Sequence, residues 1–345
     1  MRSIISLFFI ICSVCLSGQT IISSQLILDN PPFKQCHAST LVELADGEIL
    51  IAFFGGSFES SPDVKIWGTR RIKGDWSEPG ILADGRLSDS LIYPCWNPVL
   101  YQATNDELYL FYKVGKNPRE WFGMMKTSGN DGKTWSTPIK LPPGIMGPVK
   151  NKPVEAAGHK LLCPSSIETD TRWSVQMEIL DMTTHKWTLI PVDPGSPFDV
   201  IQPTLLFHSP GRYQMLCRSK QNVVVSSFSD DSGLSWSLLD SIPLPNPNSG
   251  IDGVTLADGS HLLVYNPLPA GNEWWNGRNK LALARSIDGI HWNDILILED
   301  HPDREYSYPA IIRGKNDEVY VSYTFNRSNI KLLEVRYENK GQINK

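Results

Sequence analysis

The sequence predicts an all-β protein built from a radially repeated unit, and three observations support this. A short turn motif that ends in tryptophan occurs five times, with successive tryptophans 59, 52, 49 and 56 residues apart. The chain contains 26 glycines and 25 prolines, which suits many short strands joined by turns. No segment has the periodicity of an amphipathic helix. A repeat of about 50 residues with these signals is typical of a β-propeller. The five tryptophans are Trp76, Trp135, Trp187, Trp236 and Trp292.

The repeated motif has a physical basis in turn chemistry. Its clearest copies are residues 128–135 and 229–236, a shorter copy is 286–292, and degenerate copies are 73–76 and 183–187. Asp or Asn beside Gly permits the positive φ of a tight turn, and Ser, Thr and Asp side chains can bond their own backbone. We expect each tryptophan to anchor the turn by packing beneath it.

Six apolar strand openings predict six blades in one propeller domain over residues 19–345. The last blade has only three strands of its own. Residues 21–28 form an isolated apolar strand, which we expect to supply the missing strand and close the ring. The openings begin at Cys36, Cys95, Asn151, Ile201, Ser249 and Ser307.

Residues 1–18 have the form of a signal peptide, with Arg2 followed by an apolar run from Ile4 to Leu16 and by two small residues. The run is too short to span a bilayer, so we expect a secreted or periplasmic protein. Cleavage would change the formal net charge from −5 to about −6. This acidic balance argues against nucleic acid or an anionic membrane as a partner, and we expect a monomer.

The remaining cysteines lie in apolar strand-like runs, and no pair has the C-x-x-C spacing of a metal or redox site. We therefore expect buried free thiols. No pattern predicts a metal or another cofactor. The four are Cys36, Cys95, Cys163 and Cys217.

The starts of the inner strands are unusually polar, and in a propeller they face one mouth of the central channel. Polar and titratable groups that converge in one concavity predict an active site, although channel residues can also be merely solvated. The residues are His37, Asn97, Lys150, Asn151, Lys152, Gln202, Asn248, Asp252, Tyr306 and Tyr308.

The tryptophan motif and the strand openings together resemble the Asp-box propellers of the sialidase superfamily, over essentially the whole chain after residue 18. This resemblance implies an arginine triad that binds the substrate carboxylate, a tyrosine nucleophile paired with a glutamate, and an aspartate acid/base. By motif offset, the matching residues are Arg218, Arg278, Tyr308 and Asp63.

Two positions depart from the family pattern. His37 stands in the place of one arginine, and Gln202 stands in the place of the glutamate. A neutral amide cannot accept the tyrosine proton, and the loss of one arginine weakens a sialic acid clamp. Two arginines still favour a carboxylate, and His37 with Tyr308 can form an acid–base pair. This set predicts β-elimination at the uronic acid end of an oligosaccharide, by a lyase or a dehydratase.

The sequence leaves alternatives open. The chain could be an exo-sialidase with altered chemistry or a non-catalytic glycan-binding propeller. Arg218 could form a structural ion pair instead of binding a ligand. His37 could be a hydrogen-bonded residue of the channel without a catalytic role, and the side chain of Lys152 could simply be solvated. We predict His37, Tyr308 and Asp63 as catalytic residues for an acidic oligosaccharide. The predicted substrate-binding residues are Arg218, Arg278, Gln202, Asn97, Lys152 and Trp275.

Overall fold

The computed structural model describes residues 19–273, 275–316 and 318–337, so the predicted signal segment and Trp274 lie outside the described residues. The first half of the described chain forms strands that alternate with short turns. These strands are β1 (Gln19–Leu26), β2 (Gln35–Glu43), β3 (Ile49–Gly56), β4 (Lys65–Ile72), β5 (Asp75–Trp76), β6 (Gly80–Ala83), β7 (Arg86–Ser88), β8 (Leu91–Ile92), β9 (Cys95–Gln102), β10 (Leu108–Val114), β11 (Phe122–Ser128), β12 (Ile139–Lys140), β13 (Val154–Ala156) and β14 (Lys160–Glu168).

The second half continues in the same way. Its strands are β15 (Trp173–Asp181), β16 (Trp187–Pro191), β17 (Val200–Ser209), β18 (Arg212–Ser219), β19 (Val223–Ser229), β20 (Asp240–Pro245), β21 (Asp252–Thr255), β22 (His261–Tyr265), β23 (Lys280–Ser286), β24 (Asn293–Asp300), β25 (Tyr306–Arg313), β26 (Glu318–Phe325) and β27 (Asn329–Tyr337). Among the described residues, no helix is long and apolar enough to cross a membrane.

Apart from a separate two-stranded sheet of β7 and β8, the strands form six antiparallel sheets that radiate from one axis, so the predicted six-bladed β-propeller is confirmed. Blade 1 is β2-β3-β4-β5 with β6 also paired to β4, and blade 2 is β9 to β12. Blades 3, 4 and 5 are β13 to β16, β17 to β20 and β21 to β24. The inner strand β2 contacts β9 on one side and β25 on the other, which brings the first and last blades together.

Blade 6 is completed by the N-terminal strand, as the sequence predicted. Its order is β25-β26-β27-β1, and β1 pairs antiparallel with β27 from Gln19 opposite Tyr337 to Leu26 opposite Lys331. Pairing these two edges closes the ring by main-chain hydrogen bonds instead of leaving two open edges.

The repeated turn motif has the predicted geometry. In blade 4 the Ser229 hydroxyl accepts a hydrogen bond from the Gly233 amide at 2.9 Å, and Asp231 accepts one from the Ser235 amide at 2.8 Å. Gly233 has a φ of 86°, which glycine adopts without steric cost. The indole of Trp236 donates to the Gly233 carbonyl at 3.1 Å. The tryptophan therefore stabilises the turn by a hydrogen bond to its backbone.

The predicted thiols are confirmed as buried and free. All four lie on strands that pack between or within the blades, and burial raises the pKa of each thiol. A thiol that resists ionisation in this way is a packing group and not a nucleophile.

Each blade has one non-glycine residue in the left-handed region at the start of its inner strand or, in blades 3 and 5, in the segment just before it. In blades 1, 2, 4 and 6 the strand register shifts across this residue. A β-bulge of this kind turns a side chain out of the sheet, and left-handed backbone at non-glycine residues is concentrated at functional sites. The residues and their φ angles are Ala38 (54°), Asn97 (38°), Lys150 (78°), Gln202 (53°), Asn248 (53°) and Tyr308 (52°).

We expect acid to destabilise the fold through a buried histidine, His261, which packs against the half-buried His208 between blades 4 and 5. The rings of His208 and His261 lie 4.5 Å apart, and His261 Nδ1 is 2.9 Å from the Thr255 hydroxyl. Burial, with a smaller contribution from His208, lowers the pKa of His261 from 6.5 to about 4. The unfolded chain then binds the proton first, so the free energy of unfolding falls as the pH drops from about 6.5 to about 4.

Denaturant unfolding at a series of pH values measures this slope, with His261→Gln as the matched variant that cannot titrate there. We expect a flatter pH dependence in the variant over the same interval. An identical slope in both proteins would exclude His261 as its source.

Candidate active site

Tyr308 lies at the centre of the mouth where the inner strands begin. Arg218 Nη1 donates a hydrogen bond to Tyr308 Oη at 2.9 Å and another to Gln202 Oε1 at 3.1 Å. Gln202 Nε2 also points its hydrogen toward Tyr308 Oη, at 3.4 Å. Because the phenol oxygen accepts from both neighbours, the proton of Tyr308 is directed away from them.

Arg218 and Arg278 converge on the same loop before β21. Arg218 Nε donates to Asn248 Oδ1 at 3.0 Å, and Arg278 Nη2 donates to the Asn248 carbonyl at 3.0 Å. Both side chains are largely buried, at 5% and 6% exposure. Among the described residues Arg218 Nη2 has no hydrogen-bond partner, which leaves a donor for a ligand. The two arginines thus form one cationic centre at one end of the channel.

A third arginine, Arg327, completes this centre, and the sequence reasoning missed it. Arg327 lies in the turn between β26 and β27, where it pairs with Glu59 and donates from Nε to Glu305 Oε2 at 2.9 Å. Glu305 also lies 3.5 Å from Arg278 Nη1. The second strand of every blade ends at this mouth, as β18 does just after Arg218. The position of Arg327 just after β26 was therefore the signal that could have revealed it.

His37 is packed against Tyr308 and is inaccessible. The centroids of the two rings are 4.2 Å apart, Phe54 covers another side, and His37 is 2% exposed. Neither ring nitrogen has a hydrogen-bond partner among the described residues. Burial, together with the nearby cations Arg327, Arg278, Arg218 and Lys150, lowers the pKa of His37 well below its ordinary value. The imidazole is therefore neutral.

Lys150 ties three blades together below Tyr308. Its ammonium donates to Asn151 Oδ1 and to the Ile251 carbonyl, each at 2.8 Å, and to the carbonyl of Pro309, which follows Tyr308. Burial lowers the pKa of Lys150 to about 7. These contacts fix the bulge that presents the tyrosine.

Asp63 lies in the loop between β3 and β4, and among the described residues it makes no hydrogen bond to Tyr308 or to the arginine centre. Its carboxylate accepts from the Ser57 amide at 3.0 Å and the Ser57 hydroxyl at 2.7 Å, beside an outer cavity lined by Phe33 and Trp67. Partial burial raises the pKa of Asp63, but hydrogen bonds from Ser61 and Ser57 outweigh it and lower the pKa below the ordinary value. These contacts favour the ionised carboxylate, and the acid/base role of Asp63 stays a prediction.

Lys152 lies away from the mouth that holds Tyr308. It forms an ion pair with Asp252 at 2.9 Å and lines a cavity of about 480 Å³ with Glu43 and Gln102, at the opposite end of the channel. Lys150 and Lys152 lie in the segment that precedes β13, and the ion pair with Asp252 holds the side chain of Lys152 at this other end.

The last two predicted binding residues line the mouth region in different ways. Asn97 occupies the bulge of blade 2 and is 4% exposed. Trp275 is 47% exposed and borders an open cavity of about 570 Å³ with Arg304, Glu305 and Arg327. Trp275 is therefore placed where a sugar beyond the arginine centre could stack.

Residues 47–321 match the family described as BNR repeat-like domain. The chain belongs to this family. The predicted sialidase-like propeller is thereby confirmed at the level of family and fold. A comparison with curated proteins gives no match.

Solved structures share the fold of this BNR repeat-like protein at low sequence identity. A protein of unknown function from Dyadobacter fermentans has a TM-score of 0.74 and 15% identity, and the match covers 93% of this chain and 100% of that one. The Hadza microbial sialidase Hz136 has a TM-score of 0.72 and 15% identity, over 88% of this chain and 66% of that one. Trypanosoma rangeli sialidase, solved with sialic acid, has a TM-score of 0.67 and 16% identity, over 93% and 58%. At identities this low the structural match establishes the fold only, and the chemistry has to be argued from the residues of the site.

Proposed function

We propose that this BNR repeat-like protein is a carbohydrate-active enzyme that acts on the acidic end of an oligosaccharide by β-elimination at a uronic acid. The observation that carries the proposal is the setting of Tyr308. Its oxygen accepts hydrogen bonds from Arg218 and from the Gln202 amide. Gln202 occupies the place where a sialidase has the glutamate that takes the tyrosine proton. An amide donor there cannot make the phenol a nucleophile by that route.

The arginine centre supplies carboxylate recognition. Arg218 and Arg278 meet at Asn248 with like charges held close together, an arrangement that an anionic ligand stabilises. Charge-assisted hydrogen bonds from guanidinium groups to a carboxylate are strong and directional. Neutralising the carboxylate of a uronate in this way also acidifies its C5 proton.

Tyr308 is positioned to move that proton. Tyr308 first releases its own proton to solvent, and the phenolate oxygen, which accepts hydrogen bonds from Arg218 and Gln202, then takes the proton from C5. The C5–H electrons form the C4–C5 double bond, and the C4–O bond breaks toward the leaving oxygen. The geometry favours Tyr308 over His37 as base, because the imidazole nitrogens are buried. His37 instead packs against the tyrosine ring and fixes its position.

Sialidase-type hydrolysis is the second candidate, because three arginines and a tyrosine share one mouth in a propeller whose fold matches solved sialidases. One assay separates the candidates. The protein is incubated with uronate-ended oligosaccharides, with and without a sugar on the C4 oxygen, and with sialosides. Ultraviolet absorbance of an unsaturated uronate supports elimination. Release of sialic acid with no unsaturated product overturns it in favour of hydrolysis, and binding without turnover indicates a glycan-binding propeller.

The Gln202→Glu variant gives opposite expectations for the two candidates. Under elimination, the new carboxylate pairs with Arg218 and repels the substrate carboxylate. We therefore expect kcat/KM on the uronate to fall at least about tenfold, or about 1.4 kcal/mol. Under hydrolysis, the new carboxylate can accept the proton of Tyr308 and activity rises. Gln202→Met, which adds no charge, is the matched control. A gain in sialic acid release by Gln202→Glu alone would show that the proposed chemistry is wrong.

A further inference from the structure

We propose that Glu168, at the rim of blade 3, is a further catalytic residue that donates the proton to the leaving oxygen. The inference rests on the proposed function and assigns the leaving-group proton to a residue other than Asp63. Glu168 is the last residue of β14, and neither the repeat motif nor the strand openings single it out.

The strand geometry turns Glu168 toward the mouth. Two residues earlier, the hydroxyl of Ser166 accepts a hydrogen bond from the backbone N–H of Gln202 at 3.2 Å. Side chains two apart on a strand share a face, so Glu168 lies on the face of β14 that meets the inner strand of blade 4. That strand carries Gln202 and lies beside Arg218.

The neighbours of Glu168 connect it to the arginine centre. Glu168 pairs across the sheet with Trp173, whose ring centroid is 5.7 Å from the Arg218 guanidinium carbon and 4.2 Å from Lys220 Nζ. The same guanidinium carbon is 5.7 Å from the ring centroid of Tyr308. Arg218 therefore contacts the tyrosine ring and the partner of Glu168 at once, and a sugar held by Arg218 lies near both.

The carboxyl is suited to hold a proton. Burial raises the pKa of Glu168, and the cations Arg218, Lys220 and Arg119 offset this only in part. Asp63 has its pKa lowered instead.

The proposed step is balanced. Tyr308 gains the C5 proton while the C4–C5 double bond forms. The electron pair of the C4–O bond goes to the departing oxygen, which takes the proton of Glu168. The site ends with a protonated tyrosine and an ionised Glu168, and one proton passed from the tyrosine to Glu168 through solvent restores the starting state.

The test compares two leaving groups on one uronate. The substrates are glycosides of a uronic acid that carry either a methyl ether or a nitrophenyl ether at O4. Methoxide needs a proton to leave and nitrophenolate does not. We expect Glu168→Gln to lose about 10²–10⁴-fold in kcat/KM on the methyl ether and to stay within a few fold of the parent on the nitrophenyl ether. Asp63→Asn is the matched carboxyl control, with small and equal effects on both substrates.

The outcomes separate this inference from the proposed function. Equal losses of Glu168→Gln on both ethers, or no loss on either, overturn the acid role. A loss confined to the methyl ether in Asp63→Asn overturns it as well and assigns the acid to Asp63. Suppose that the parent turns over the uronates and that Tyr308→Phe is inactive. If Glu168→Gln then shows no dependence on the leaving group, only the present inference fails and the proposed function stands. If the parent turns over no uronate, the proposed function fails and this inference with it. Recovery of Glu168→Ala on the methyl ether by added formate gives a second measurement should Glu168→Gln fold poorly.

Discussion

Replacing Tyr308 with phenylalanine is expected to lower turnover by about 10²–10⁴-fold, because it removes the group that transfers the C5 proton. The ring remains, so its packing against His37 at 4.2 Å is retained. We expect the thermal unfolding midpoint to stay close to that of the parent. Steady-state kinetics on a uronate-ended oligosaccharide and a thermal melt of the same preparation measure both quantities.

Tyr101→Phe is the matched control, because Tyr101 lines the cavity at the opposite end of the channel. We expect it to leave turnover unchanged. If Tyr308→Phe retained parental turnover, the proton would have to be taken by another group, and the buried His37 would become the candidate.

Removing Arg218 is expected to be the second large effect. Arg218→Ala deletes the hydrogen bonds to Tyr308 and Gln202 and the donor left for the substrate carboxylate. We expect kcat/KM to fall by about 2–4 kcal/mol, through weaker binding and slower turnover together. Arg218→Lys should recover little, because an ammonium cannot reproduce the forked geometry of the guanidinium. Arg278→Ala should show a loss of the same kind.

Arg212→Ala provides the comparison on the same strand, since Arg212 lies at the outer end of β18 and pairs with Asp230 at the surface. We expect parental kinetics from it. Near-parental kinetics for both Arg218→Ala and Arg278→Ala on the true substrate would exclude an acidic sugar as the ligand of this mouth.

The architecture was predictable because its signals are local. A turn such as residues 229–236 forms from side chains that bond their own backbone, and its tryptophan lies within the same repeat. Repetition then supplies the blade count. The closing strand was predictable for a related reason, since three strands in the last blade leave an edge that only residues near the other terminus can fill.

Some of the site residues could be predicted from the same repeat. Gln202 and Tyr308 occupy equivalent bulges in blades 4 and 6, so their shared offset from the blade start predicted that they would meet. Arg218 ends the second strand of blade 4 and reaches the same mouth. A radial repeat brings equivalent positions to one axis, and the sequence by itself therefore determined the fold and the core of the arginine–tyrosine cluster.

Only the tertiary structure decided the remaining residues. Asp63 is held by Ser57 within its own loop, and Lys152 is drawn to Asp252 at the far end of the channel. Arg327 and Glu168 lie at or just after the end of a second strand, as Arg218 does, but no copy of the tryptophan motif or of the strand openings includes them. Loop paths and the direction of a long side chain depend on ion pairs and hydrogen bonds between distant blades. Such contacts have no fixed spacing along the chain, and for that reason the sequence pattern does not encode them.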